Sequence, residues 1–148
     1  MNQNKVSLIL GIIFLTIGIL GFAPSVLSLP PVGFEAGIPL DPTIYPYAEG
    51  FGYIFGLFPT NLMHNLFHIA VGLFGIAASG DCNTARSFNR IFATSYAVIV
   101  VMGFLPYGKT FFGMMPLFGN NIWFNALTGV FAGYYGFGKS EEGELNVY

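Results

Sequence analysis

Charge is scarce in this chain. Of its 148 residues only 8% are Asp, Glu, Lys or Arg, where a soluble domain carries roughly 25%. A soluble fold of this length would have to cover itself largely with Phe, Leu and Gly, and such surfaces aggregate. The shortage excludes an ordinary soluble enzyme and a disordered chain. Five Lys and Arg leave no basic face for nucleic acid, and a net charge of -2 implies no charged partner. Cysteine is reduced to Cys82, which excludes an internal disulfide, a CxxC redox pair and quinone-linked thiol chemistry. Histidine is reduced to His64 and His68. Ser7, Thr94 and Ser95 therefore have no His-Asp partners at a catalytic spacing. The glycine-rich stretches do not have the pattern of a phosphate loop. No catalytic set is legible, and the expectation is a protein that is not an enzyme.

What the chain does have is apolar length. Hydrophobic residues make up 54%, with 17 Phe and 20 Gly, and mean hydropathy is +0.66. A bilayer core of about 30 Å takes about 20 apolar residues as a helix. The charged residues leave four long gaps, and each holds one apolar run. These runs predict membrane helices near 6–22, 57–78, 88–105 and 121–137. Internal glycines do not argue against them, because membrane helices tolerate Gly. The expected fold is an all-α, four-helix integral membrane bundle forming a single domain over 1–148.

With four spans, Lys5, Arg86, Arg90 and Lys139 fall on one side and Lys109 on the other. The basic excess marks the cytoplasmic side, so both termini are expected inside. The membrane would be a bacterial plasma membrane, or a thylakoid membrane in a photosynthetic host. A cleaved signal peptide ending near Val26-Leu27-Ser28 is the competing reading of the start. Its apolar run is long for a signal, and removing it would spoil the charge balance. The outer loop 23–56 holds Glu35, Asp41 and Glu49 and no basic residue. Its prolines, among them Pro24, Pro30, Pro39 and Pro46, break any helix. Its aromatics Phe34, Tyr45, Tyr47, Phe51, Tyr53 and Phe55 suggest that it folds back over the outer end of the bundle. The tail 139–148 is acidic.

The chain also repeats itself. Leu57-Phe58-x-x-Asn61-Leu62-x-x-Asn65 matches Leu117-Phe118-x-x-Asn121-Ile122-x-x-Asn125. Gly21-Phe22-Ala23-Pro24 matches Gly103-Phe104-Leu105-Pro106. This reads as two helical hairpins in parallel repeat, unlike the inverted repeats of many transporters.

Polarity within the runs is concentrated. Asn61, His64, Asn65 and His68 fall within an arc of about 100° on a helix, and Gly72 and Gly75 continue that face. Asn121, Asn125 and Thr128 form the equivalent stripe on the last run, where Gly129-x-x-x-Gly133 is a further small-residue pair. Polar groups facing lipid are costly, so both stripes should face inward, and the small residues let helices approach closely. The bland reading is hydrogen-bonding glue between helices, worth about 0.6–2 kcal/mol per side chain. His64 and His68 have helical i, i+4 spacing for a metal, but no Cys, Asp or Glu in the spans completes a shell. Haem bridged by two histidines would need one on a second helix, where Asn125 stands instead. Chlorophyll on a single histidine, or small-solute or proton conduction along the stripe, remain as alternatives. Arg86 and Arg90 read as cytoplasmic anchors on lipid phosphates.

Asn61-x-x-His64-Asn65-x-x-His68-x-x-x-Gly72 on the second span, the Gly-Phe-x-Pro close of the first, and Ala85-Arg86 with Arg90 opening the third resemble a family of bacterial membrane proteins termed domain of unknown function 4383. The resemblance covers nearly the whole chain and implies a four-span membrane protein with no established activity. In that family the fourth span opens with an acidic residue and carries a histidine four residues on. Asn121 and Asn125 stand there in this chain, which weakens any metal, haem or proton-relay mechanism needing both halves. The leading expectation is a non-enzymatic accessory or assembly subunit of a larger membrane complex. Its partners would be the lipid bilayer and other membrane subunits, or further copies of itself.

Overall fold

Four helices form where the apolar runs predict them, and their ends are set by caps. In the computed structural model, which describes residues 1–30 and 46–138, α1 spans Gln3–Leu20. It starts earlier than the expected residue 6 because the Asn2 side chain accepts from Lys5 N–H, satisfying a helix-terminal donor. Pro24 lies beyond its end, where the chain has left the helix. Helix α2 spans Leu62–Ala78, and α3 spans Cys82–Phe104. Asp81 caps α3 by accepting from the Thr84 N–H and hydroxyl at 2.8 Å each, and these bonds hold its carboxyl below the usual range. The expected loop 79–87 therefore shrinks to Ser79–Asp81, and Arg86 lies inside α3 rather than ahead of it. Helix α4 spans Asn120–Phe137.

The second apolar run does not become helical at residue 57. Phe58–Thr60 forms a strand instead, as part of a small antiparallel sheet absent from the all-helical expectation. Its strands are β1 (Leu27–Ser28), β2 (Gly52–Ile54) and β3 (Phe58–Thr60), in the order β1-β2-β3. Leu27 lies opposite Ile54, and Tyr53 opposite Pro59. Proline is tolerated because β3 is an edge strand. The described parts of the loop 23–56 thus pair through their main chains into a cap, and β3 packs on α4. The remainder of the loop at 31–45 and the acidic tail at 139–148 lie outside the described residues.

Helix α1 pairs chiefly with α2, and α3 with α4. The two hairpins meet around Phe14. Its ring lies edge-on to His68, Phe92 and Tyr96 at 5.0, 5.1 and 5.2 Å. Val6, Leu10, Ile99, Met115, Leu117 and Ala132 complete the core. The opposite faces are apolar as well: Ile12 and Ile19 on α1, Phe74 on α2, Val98 and Val101 on α3, and Leu127 and Val130 on α4 are exposed. Gln3–Leu20 and Cys82–Phe104 are long and apolar enough to cross a membrane, and Leu62–Ala78 is a shorter apolar helix.

Candidate functional site

Asn61, His64, Asn65, His68, Asn121 and Asn125 are buried and Thr128 is half-buried, and three of the asparagines serve the cap formed by the sheet. Asn61 is the N-cap of α2 and accepts from His64 N–H at 2.9 Å. Its amide donates to the carbonyls of Tyr47 and Met114 at 3.0 and 2.8 Å. The Asn65 amide donates to the Gly21 carbonyl at 2.9 Å, and its oxygen accepts from the Thr60 hydroxyl. Asn121 donates to the carbonyls of Pro59 and Pro116 at 2.7 and 2.9 Å. Each hairpin's asparagine therefore reaches the segment that precedes the other hairpin's last helix. Irregular backbone leaves buried carbonyls without ladder partners, and these amides supply them. Asn125 is buried, whereas Thr128 turns back on its own helix, donating to the Phe124 and Asn125 carbonyls.

His64 and His68 are 3% and 4% exposed, with ring centroids 4.2 Å apart. Nδ1 of both rings is without a partner. Together with Asn125, Met115, Leu117 and Tyr96 they enclose a space too small for a water molecule. A tetrapyrrole needs an open face at the ligating nitrogen. These histidines provide none, so they do not fit haem or chlorophyll in this packing. Among the described residues no three His, Cys, Asp or Glu converge on a metal position.

The small residues divide by helix pair. A Cβ on Gly72 would strike the Leu15 backbone, and one on Gly75 would lie 2.9 Å from Gly11 Cα. Gly129 and Gly133 face Tyr96 and Ala93 of α3 with more room, 3.3 and 3.4 Å. At the far end of the bundle Arg86 and Arg90 do more than anchor. Arg90 Nε donates to the Gly136 carbonyl at 2.8 Å, and Arg86 reaches the Gly136 and Gly138 carbonyls. They close the C-terminus of α4, where cations and donors are favoured. Gln3 and Asn89 join them, Asn89 donating to Gln3 Oε1 at 2.9 Å and Gln3 to the Tyr135 carbonyl at 2.7 Å.

Sequence reasoning missed Thr60, the Gln3–Asn89 pair and Tyr96, whose hydroxyl is buried without a partner. Thr60 could have been found from its place beside Asn61. Tyr96 and the pair carry no local signal, because their neighbours lie on other helices.

The family model matches residues 4–138. The chain belongs to the family described as Domain of unknown function (DUF4383). No curated protein and no solved structure matches it. For this DUF4383 chain the functional reading therefore rests on its own geometry. At the outer end that geometry is unusual. Phe55, Phe111 and Phe112 all have positive φ, at 52°, 45° and 56°. Bulky residues are outliers there, at a cost of about 1–3 kcal/mol each. Phe55 at the β2–β3 turn is 60% exposed and Phe112 in the α3–α4 loop is 73% exposed.

Proposed function

We propose that this DUF4383 chain is a non-catalytic, four-span integral membrane protein with both termini in the cytoplasm, acting as an accessory or assembly subunit of a larger membrane complex. The apolar outer faces of all four helices support the membrane reading. Lys5, Arg86 and Arg90 lie at the end opposite Lys109 along the chain's up-and-down course, in keeping with the positive-inside rule. The crosswise links of Asn61 and Asn121 support the paired-hairpin repeat.

The observation that carries the subunit reading is the pair of exposed, strained aromatic tips on the outer cap. Phe55 and Phe112 bury little against their own fold, and Asn or Gly would fill both positions without strain. Strain at exposed aromatic tips has a function where a partner covers the rings. Exposed aromatic anchors are also the residues that dominate protein interfaces. The partner is expected to be another membrane subunit with an uncharged outer face.

Native co-purification with mass spectrometry tests this. The wild-type chain is expected to elute with one defined membrane protein. A Phe55→Asn, Phe112→Asn double variant, at least as stable thermally, should elute without it. Recovery of both forms as the same monomer or homo-oligomer would overturn the reading.

A further inference from the structure

A groove of about 560 Å³ runs between α2 and α3. Its size falls within the usual range for small-molecule sites, about 300–1,000 Å³. Phe67, Phe74, Phe88 and Phe92 wall it, and Ser95 and Tyr96 lie toward one end. From Phe67 to Ala78 it follows α2 for about 16 Å at about 1.5 Å per residue.

At the Phe67–Tyr96 end the groove abuts the closed space that holds His64 and His68, and the two share those side chains as a wall. Behind that wall lie three polar atoms without partners: the Tyr96 hydroxyl, His64 Nδ1 and His68 Nδ1. Tyr96 is 3% exposed. Buried polar groups are nearly always paired, and one left alone costs about 1–3 kcal/mol. Three together beside an apolar groove describe half of a recognition site. A neutral imidazole nitrogen that carries no proton is an acceptor.

The geometry points to a neutral lipid with a hydroxyl headgroup, its tail in the Phe-lined groove and its hydroxyl between Tyr96 and His68. A hydroxyl can donate to an imidazole nitrogen and accept from the tyrosine at once. A phosphate or ammonium headgroup would have to shed its water with no counter-charge at hand, which is far costlier. Phe67 lines both spaces, and the proposed binding requires its ring to turn aside. A prenol, a diacylglycerol and a quinol share this chemistry.

The experiment uses the full chain in phosphatidylcholine nanodiscs with a photoactivatable octadecanol bearing a diazirine in its tail. Its methyl ether and a diazirine phosphatidylcholine serve as comparisons. The alcohol is expected to label the Phe67–Phe74 and Phe88–Tyr96 segments about tenfold more than the ether, the worth of one buried hydrogen bond. Tyr96→Phe should reduce that labelling to the ether's level without lowering the unfolding temperature, because the lost hydroxyl had no partner. Unlabelled prenol, diacylglycerol and quinol, added in turn, should include one that displaces the probe, and that one identifies the source. Equal labelling by alcohol, ether and phospholipid would overturn the proposal, as would labels spread over all four helices. So would displacement by none of the three lipids, or a Tyr96→Phe variant that labels normally or loses stability.

Discussion

Two residues of one sequence stripe behave oppositely once folded. Asn121 spends both amide protons on carbonyls of irregular backbone, those of Pro59 and Pro116. Thr128, seven positions on, donates to helix carbonyls that already have a place in the α4 ladder. Asn121→Leu keeps the volume and leaves two buried carbonyls unpaired, each costing about 1–3 kcal/mol. Thr128→Val keeps the shape and forfeits a redundant bond, a change of about 0.5 kcal/mol or less. Thermal unfolding in detergent should show a large drop for the first and almost none for the second. Equal effects would mean that the stripe is uniform glue after all.

Among the elements, the two hairpins are built to different tolerances. Helices α1 and α2 touch backbone to backbone, with Gly11, Gly18, Gly72 and Gly75 at the contact. Along Gly129 and Gly133, α4 meets the side chains of Tyr96 and Ala93 on α3, and it comes close to the α3 backbone at Gly136, where a Cβ would lie 3.1 Å from Arg90 N. Gly72→Ala would push a methyl into the Leu15 backbone, which has no freedom to retreat. It should destabilise by about 2–4 kcal/mol, toward the upper end of overpacking costs. Gly133→Ala meets only the Ala93 Cβ at 3.4 Å, and the gain in helix propensity offsets the crowding, leaving about 0.5 kcal/mol either way. Denaturant titrations of the two variants compare these directly. The Gly129-x-x-x-Gly133 pair was as visible in the sequence as Gly72 and Gly75. Only the spacing between helix axes separates a tight contact from a loose one.

For the molecule as a whole, the proposed topology puts the start of α3, with Cys82, in the cytoplasm and Leu29, which follows β1, outside. A membrane-impermeant maleimide should label Cys82 in inverted vesicles and spare it in intact spheroplasts. A Leu29→Cys, Cys82→Ser variant, its new thiol at a highly exposed position, should give the reverse. Labelling of both sites from one face would refute a four-span arrangement. The outer cap and the Arg86–Arg90 end then sit on opposite sides of the bilayer. Each is closed by amide or guanidinium groups on backbone carbonyls, and the apolar core around Phe14 lies between.

Helices were legible because their hydrogen bonds are local and their apolar length shows directly in the composition. The inward burial of Asn61, His64, Asn65 and His68 was legible for the same reason, since their spacing puts them on one face and apolar surroundings force that face inward. The sheet was not legible. Its strands are two or three residues long, and Leu27 must find Ile54 across a proline-rich stretch. Nor did spacing show that Asn61 ends up as a cap rather than an interior residue, which follows from Phe58–Thr60 pairing as a strand. By itself, then, the sequence determined where the helices run and which of their faces are polar, because those depend on neighbours a few residues apart. Only the tertiary structure decided what the polar groups bond to: Asn121 to the cap, Arg90 to the end of α4, and the Tyr96 hydroxyl and His68 Nδ1 to nothing within the described fold. Those partners lie on other elements, and no local pattern encodes them.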